Sequence, residues 1–164
     1  MGLATQFRLC LADILRAEGR PAEAACVVPD LERVSRDLRK DYVRQRGTIR
    51  QKAGRWAEAL EDASEALRLT LEDTPGDELS IALAQSALAE AYLDAGRLPE
   101  AEATAHQAYQ ALTAIGHPER AATCITLALI GCQTKQSVGA YFEEALRVWA
   151  EAPRRQGAIP RIHR

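Results

Sequence analysis

The sequence contains no asparagine, only three lysines beside 18 arginines, and only 5% aromatic residues. The absence of asparagine removes every N-glycosylation acceptor, and together with the arginine bias it indicates a GC-rich source. Few aromatic rings and many alanines favour helices that pack closely through small side chains over a core filled with rings. No stretch approaches ~18 uninterrupted apolar residues, so no transmembrane span is predicted. A chain of 164 residues is expected to form one domain or a compact repeat array.

Cysteine and histidine are too scattered to predict a disulfide scaffold or a metal site. The four cysteines, Cys10, Cys26, Cys124 and Cys132, include no C-x-x-C pair. Each lies in a stretch with helical apolar spacing, so we expect buried, reduced thiols that pack as small apolar residues. The histidines show no ligand spacing, and we expect no metal and no cofactor. Because the first residues lack a basic region and a cleavage site typical of a signal peptide, we expect a cytoplasmic protein.

Charge is strongly segregated along the chain. From residue 36 to 55, eight basic residues stand against two acidic ones, which leaves a net charge of +6. From residue 56 to 78, eight acidic residues stand against one arginine, which leaves −7. Two interpretations stay open: neighbouring helices that attract each other, or a basic surface for an anionic partner.

A hexapeptide of the pattern G-R-x-x-E-A occurs three times, at Gly19–Ala24, Gly54–Ala59 and Gly96–Ala101. Its glycines are 35 and 42 residues apart. A glycine that follows a helical stretch can enter the left-handed conformation that ends a helix. Proline in the first turn of the next helix costs no hydrogen bond, and a glutamate there faces the positive end of the helix dipole. The pattern therefore predicts a repeated hairpin of two antiparallel helices.

These units resemble the tetratricopeptide repeat, of the longer-repeat type found in bacterial regulatory proteins. The third unit matches best, and the consensus positions it fills are Leu88, Ala89, Tyr92, Gly96, Ala101 and Ala108. The resemblance implies an all-α fold: an α-solenoid of about four stacked antiparallel helix hairpins, wound into a right-handed superhelix with a concave inner groove. In the first unit, Pro29 is expected to kink or end the second helix.

The resemblance covers roughly residues 4–152, and a basic flexible tail is expected over 153–164. The expected units span about residues 4–37, 38–77, 78–117 and 118–152. The last unit lacks the hexapeptide and is degenerate.

In tetratricopeptide folds the first helix of each hairpin lines the groove, which the resemblance carries over to particular side chains. The expected partner-binding residues are Asp13, Arg16, Arg44, Thr48, Gln51, Lys52, Ser86, Glu90, Asp94 and Arg120. The best-known site of the family clamps a terminal carboxylate with asparagines and lysines. Without any asparagine, that clamp cannot be carried over to this chain.

The sequence predicts binding rather than catalysis. No serine lies in a G-x-S-x-G elbow, and the glycines are scattered singly instead of forming a phosphate-binding loop. We therefore expect a non-catalytic scaffold that binds a peptide or partner helix in the groove, and no enzyme. The alternative is a sensor or regulatory segment of a bacterial transcription-control system, in which the repeats hold a ligand or dimerise. Nucleic-acid binding ranks last, because only Tyr42 supplies an aromatic ring within the basic stretch.

The final helix, expected over about residues 137–150, carries a wide apolar stripe. Its members are Val138, Tyr141, Phe142, Ala145, Leu146, Val148 and Trp149. We hypothesise that Tyr141, Phe142, Val148 and Trp149 form a surface for a homodimer or a docked partner. The alternative is that Phe142 and Trp149 turn inward onto the preceding helix.

Overall fold

The computed structural model describes residues 3–28, 34 and 38–151, and this part of the chain contains eight α-helices and no β-strand. The helices are α1 (Leu3–Ala17), α2 (Pro21–Val27), α3 (Arg39–Lys52), α4 (Trp56–Asp73), α5 (Glu78–Asp94), α6 (Leu98–Ile115), α7 (Arg120–Thr134) and α8 (Gly139–Glu151). The all-α prediction is confirmed. The expected basic tail over residues 153–164 lies outside the described residues.

The helices pair as hairpins that stack in chain order. Contacts join α1 to α2, α3 to α4, α5 to α6 and α7 to α8, and further contacts join α2 to α3, α4 to α5 and α6 to α7. The first helices of the last two hairpins, α5 and α7, also touch each other. Each hairpin thus buries its apolar face against its neighbours in the chain, which is the packing scheme of a helical solenoid.

The hexapeptide glycines end their helices as the pattern predicts. Gly19, Gly54 and Gly96 have φ values of 75°, 74° and 73°. In the third turn, the Arg97 amide donates to the Tyr92 carbonyl at 2.9 Å and the Gly96 amide donates to the Leu93 carbonyl at 3.0 Å. This pair of bonds is the Schellman arrangement, which satisfies carbonyls that the end of the helix leaves open.

The arginine and glutamate of each hexapeptide pair with each other, which the sequence interpretation had not foreseen. Glu58 accepts a hydrogen bond from Arg55 Nε at 2.7 Å, and Glu100 accepts one from Arg97 Nη2 at 2.6 Å. The guanidinium holds the pKa of each glutamate below its ordinary range. Both partners are exposed, so the pair mainly orients the arginine across the first helical turn and adds little stability.

Alanines fill the contacts between helices. Ala101, Ala105 and Ala108 on α6 are completely buried, at the i, i+4, i+7 spacing that the sequence showed. Side chains this small let two helix backbones approach closely. The register predicted for this hairpin therefore agrees with its packing.

The α2 helix has only seven residues and ends at Val27. Val28 is extended, with φ −65° and ψ 126°. The ring of Pro29 disfavours helical backbone at the preceding residue, which explains why the helix ends here. The early end expected at this proline is confirmed.

The expected burial of all four cysteines is wrong for three of them. Cys124 is buried, whereas Cys10, Cys26 and Cys132 are exposed. Cys10 and Cys124 hold equivalent repeat positions, yet only Cys124 faces a full-length partner helix, α8. The short α2 runs beside only the last turns of α1, so Cys10 has no such cover.

The apolar face expected for α8 is rotated. Val148 is buried at 3% exposure beside Ala145, in a cluster with Ala121 and Cys124 of α7, and Tyr141 packs against the same cluster. Val148 and Tyr141 therefore belong to the core and not to an outer surface. Phe142, Leu146 and Trp149 are exposed instead, so the inward placement of Phe142 and Trp149 is also wrong.

Candidate functional site

A cleft of about 110 Å³ opens between α3, α4 and α5. Apart from Leu83, its apolar lining, which we call the floor, consists of alanines, which are Ala59, Ala63 and Ala66 of α4 and Ala84, Ala87 and Ala91 of α5. Its rim is polar and comes mainly from Lys40, Arg44, Thr48 and Gln51 of α3. The cleft therefore combines an apolar base with convergent polar groups, the composition of protein binding sites.

Gly47 allows α3 to lie close above α4 at the base of this cleft. A Cβ at Gly47 would lie 3.1 Å from the Cβ of Asp62 and 3.7 Å from the Ala59 carbonyl oxygen. A side chain larger than hydrogen would require the Asp62 side chain to shift by a few tenths of an ångström, whereas the distance to the Ala59 carbonyl oxygen is an ordinary van der Waals contact. The glycine thus allows α3 and α4 to pack closely beside the cleft.

A buried ion-pair network holds the basic helix against the acidic one. Asp62 on α4 is 2% exposed and accepts hydrogen bonds from Arg46 Nη2 at 2.5 Å and from Arg50 Nη1 at 2.8 Å. The Arg46 guanidinium carbon also lies 5.5 Å from the centre of the Tyr42 ring. For Arg46 and Arg50, attraction between neighbouring helices is therefore the correct interpretation of the charge segregation.

Lys40 and Arg44, two basic residues of α3 that do not pair with Asp62, lie at one end of the cleft, which we call the outer end. Arg44 pairs with Asp41 at 3.1 Å and remains 65% exposed, and Lys40 lies beside it on the rim. The positive charge of Lys40 helps, after the hydrogen bonds from Ser80, to keep the pKa of Asp77 below its ordinary range. This end of the cleft is consequently basic.

Two acidic residues of α5, Glu90 and Asp94, lie outside the lining of the cleft and near its Gln51 end. Gln51 donates a hydrogen bond to Asp94 at 2.5 Å and so joins α3 to α5. One turn earlier on α5, burial raises the pKa of Glu90, and the charges of Glu119 and Asp94 raise it further, while Lys52 opposes them. A ligand that lies along α3 and α5 therefore meets basic groups first and acidic groups last.

The described residues contain no arrangement of three or more His, Cys, Asp or Glu side chains that could hold a metal ion. None of the described helices has both the length and the apolar composition that crossing a membrane requires.

Comparison with known proteins identifies the repeat. Residues 42–114, which contain the whole of the cleft apart from Lys40, match the family model of the tetratricopeptide repeat. This segment is a tetratricopeptide-repeat array. A search of curated protein sequences found no match.

Two solved structures share the fold of this chain. BtubC (BKLC) from P. vanneervenii superposes with a TM-score of 0.64 and 19% identity, over 93% of this chain and 62% of its own. RapI in its apo form superposes with a TM-score of 0.62 and 14% identity, over 88% of this chain and 42% of its own. The chain thus spans less than two thirds of either protein, and at these identities the likeness concerns the fold alone.

The structure brings together part of the groove set that the tetratricopeptide resemblance implied. Arg44, Thr48 and Gln51 line the cleft. Glu90 and Asp94 do not line it, but Asp94 accepts a hydrogen bond from Gln51. Lys52 lies near Glu90, also outside the lining. Sequence reasoning missed Lys40 and the α4 alanines, whose i, i+4, i+7 spacing had indicated packing alone.

The remaining expected groove residues connect one helix to another outside the cleft. Asp13 pairs with Arg16 at 3.5 Å and accepts a hydrogen bond from Gln45 of α3 at 2.6 Å. In the last two hairpins, Ser86 of α5 is buried with its hydroxyl 3.0 Å from that of Thr123, and Arg120 approaches Glu144 of α8 at 3.8 Å.

Proposed function

We propose that this tetratricopeptide-repeat chain is a non-catalytic scaffold whose α3–α5 cleft binds a peptide or a helix of a partner protein. The observation that supports this best is the alanine floor of the cleft beneath a polar rim. A floor that is alanine apart from Leu83 leaves room for an apolar side chain of the partner. The rim amides and hydroxyls of Thr48 and Gln51 are placed to bond the partner's polar groups.

The size of the cleft favours a side chain over a whole small molecule. Its volume of about 110 Å³ is below the ~300–1,000 Å³ of sites that enclose drug-sized ligands. It is comparable with the ~150 Å³ engineered cavity that accepts a benzene ring. One aliphatic or aromatic side chain of a partner therefore fits, with the rest of the partner lying along the concave face.

The charges near the two ends of the cleft define the partner further. Lys40 and Arg44 favour an acidic residue at the outer end, and Glu90 with Asp94 favours a basic residue beyond the Gln51 end. Complementary charges of this kind set the orientation and the rate of association more than the final affinity. We therefore propose a partner segment with an acidic residue, an apolar anchor and a basic residue in that order.

Selection from a random peptide display library tests the site directly. Ala87 is exposed at the floor of the cleft, so Ala87→Phe fills the cleft without overpacking the core. The matched control is Ala103→Phe, at an exposed position on α6. We expect peptides that bind the wild type and Ala103→Phe but lose about tenfold or more in affinity for Ala87→Phe. Peptides that bind all three equally would exclude the cleft.

The basic rim predicts a salt-dependent contribution to the same binding. The Lys40→Ala, Arg44→Ala double variant should weaken binding of the selected peptides, and the loss should be larger at low salt, because exposed charges are screened over ~8–10 Å at ordinary ionic strength. Arg68→Ala, an exposed arginine on α4 outside the cleft, is the control. An unchanged affinity in the double variant would mean that Lys40 and Arg44 only balance nearby acids.

We also propose that the chain binds no nucleic acid and catalyses no reaction. The basic segment that a nucleic acid would contact has Arg46 and Arg50 engaged with Asp62, and the acidic α4 lies directly beside it.

A cytoplasmic location is supported by the exposed free thiols of Cys10, Cys26 and Cys132, since reduced cysteines are typical of that compartment. In the alternative role, a sensor or regulatory segment of a bacterial transcription-control system, the repeats would hold a ligand or dimerise.

A further inference from the structure

The two end helices of the array each carry an exposed apolar row on the face away from their own hairpin. On α1 the row is Phe7, Leu11 and Ile14, with exposures of 72%, 44% and 55%. On α8 the row is Phe142, Leu146 and Trp149, with exposures of 40%, 63% and 57%. Large apolar side chains exposed side by side on one helix face typically mark an interaction surface.

The two rows have the same geometry. Both follow the i, i+4, i+7 spacing, so each forms a straight stripe of about 10 Å along its helix. On α1 the structure buries Ala12 and Leu15 against the rest of the array and turns Leu11 and Ile14 outward.

The repeated packing of the array indicates what each row lacks. Inside the array, the second helix of one hairpin packs on the first helix of the next, as α2 does on α3, α4 on α5 and α6 on α7. The α8 helix is a second helix whose outer face meets no following first helix among the described residues. The α1 helix is a first helix whose outer face meets no preceding second helix there.

We infer that the α8 row of one copy docks on the α1 row of another copy, so that the chain associates head to tail. Such a contact repeats the stacking that joins hairpins within the chain. It is heterologous, so it leaves a free row at each end and permits further growth.

The stacking inside the array favours this pairing over a symmetric one. The main contacts between hairpins join a second helix to the first helix that follows it, α2 to α3, α4 to α5 and α6 to α7. An α1–α8 contact between two copies has the same composition, whereas an α8–α8 contact has no counterpart among these contacts. The inference is independent of the ligand that the cleft binds.

Sedimentation velocity on the full 164-residue chain tests the contact with two variants, Leu146→Glu and Ile14→Glu. Both positions are exposed, so circular dichroism should show unchanged helicity. We expect the wild type to form species larger than dimers as its concentration rises. We expect each variant alone to lose about tenfold or more in its association constant. Leu71→Glu is the matched control, because Leu71 is exposed on α4, between the two ends.

Mixing the two variants gives the decisive result. Leu146→Glu keeps an intact α1 row and Ile14→Glu keeps an intact α8 row, so an equimolar mixture should form a 1:1 heterodimer that does not grow further. A symmetric dimer through α8 would survive Ile14→Glu and gain nothing from mixing, which would overturn the inference. A wild type that remains monomeric at high micromolar concentration would overturn it as well, and would leave another protein or another segment to cover the rows.

Discussion

At the scale of single residues, the fold depends on where small side chains stand. Ala59 and Ala101 are the last residues of their hexapeptides, and both are buried at a helix crossing. The glycine that precedes each of them by five positions ends a helix with positive φ. The hexapeptide therefore places a turn and a close helix contact at a constant distance along the chain.

We expect Ala101→Leu to lower the free energy of unfolding by ~1–3 kcal/mol, because three extra carbon atoms must enter a crossing that has no free space. Ala59 borders the cleft, so Ala59→Leu should destabilise the protein less, because part of the larger side chain can enter the cleft. The control is Ala103→Leu on the exposed side of α6, which should stay within ~0.5 kcal/mol of the wild type. Denaturant unfolding measures all three, and equal small effects would show that the predicted register is wrong.

The four cysteines should differ in reactivity according to their environment. Burial, reinforced by the charge of Glu144, raises the pKa of the Cys124 thiol to about 11. Because the thiolate is the reactive form, iodoacetamide at pH 8 should modify Cys124 far more slowly than the exposed Cys132. Peptide mass spectrometry over a time course gives the rates, and equal rates in the folded protein would contradict the burial of Cys124.

At the scale of elements, the α3–α4 hairpin is held by charges as well as by apolar contacts. Arg46 and Arg50 occupy places where the tetratricopeptide consensus has apolar residues, and Asp62 on the facing helix compensates for both. The Arg46 guanidinium also lies over the Tyr42 ring and makes a cation–π contact with it. In this hairpin, a hydrogen-bonded ion-pair network thus takes the place of part of the apolar contact between the two helices.

We expect Asp62→Ala to destabilise the protein by ~3–5 kcal/mol, because removing one partner of a buried ion pair leaves the other uncompensated. The largely buried guanidinium of Arg46 would lose its carboxylate partner, and that of Arg50 would keep only Glu58 at 3.4 Å. Glu61→Ala, on the exposed side of the same helix, should change the stability by less than ~0.5 kcal/mol. Thermal or urea unfolding distinguishes the two, and similar effects would mean that the network adds no stability.

At the scale of the whole molecule, contacts between hairpins bring charges from distant parts of the sequence together. Glu90 on α5 lies within reach of Glu119 before α7 and of Lys52 at the end of α3. Gln51 and Asp94 join the same two hairpins at 2.5 Å. The stability of the array therefore depends on the protonation of groups that are far apart in the chain.

Glu90 should make the protein less stable as the pH rises. Burial raises the pKa of Glu90, and the neighbouring acids raise it further, so near this value the folded state binds more protons than the unfolded state. The free energy of unfolding then falls as the pH rises from the ordinary carboxyl pKa through the raised value, and the cost is complete above it. We expect Glu90→Gln to raise the melting temperature at pH 7 and to have little effect at pH 4.

Melting curves of the wild type and Glu90→Gln from pH 4 to 8 test this expectation. The glutamates paired with arginine, such as Glu58 and Glu100, have lowered pKa values and stabilise the fold above the ordinary carboxyl range. Their contribution is lost on acidification in both proteins and cancels in the comparison. A melting temperature that falls at pH 7 in the variant would show that the ionised Glu90 makes a favourable contact.

Local features of the chain were predictable from the sequence because their causes are local. The three hexapeptides determined the helix ends, the hairpin turns and the number of well-formed repeats, since a glycine at positive φ and a proline in a first turn act within a few residues. The early end of α2 before Pro29 has the same kind of cause. The tetratricopeptide fold follows from these features together.

Only the tertiary structure decided which face of each end helix is buried. In α1 and α8 the apolar residues outnumber the positions that one neighbouring helix can cover, so periodicity alone cannot select the inner face. The packing of α8 on α7 buries Val148 beside Ala121 and Cys124 and leaves Leu146 exposed. The cleft has the same origin: the α4 alanines form its floor only because α3 packs closely at Gly47 and α5 stacks on the other side. Such contacts join residues far apart in sequence, and their geometry depends on the packing of whole helices rather than on local spacing.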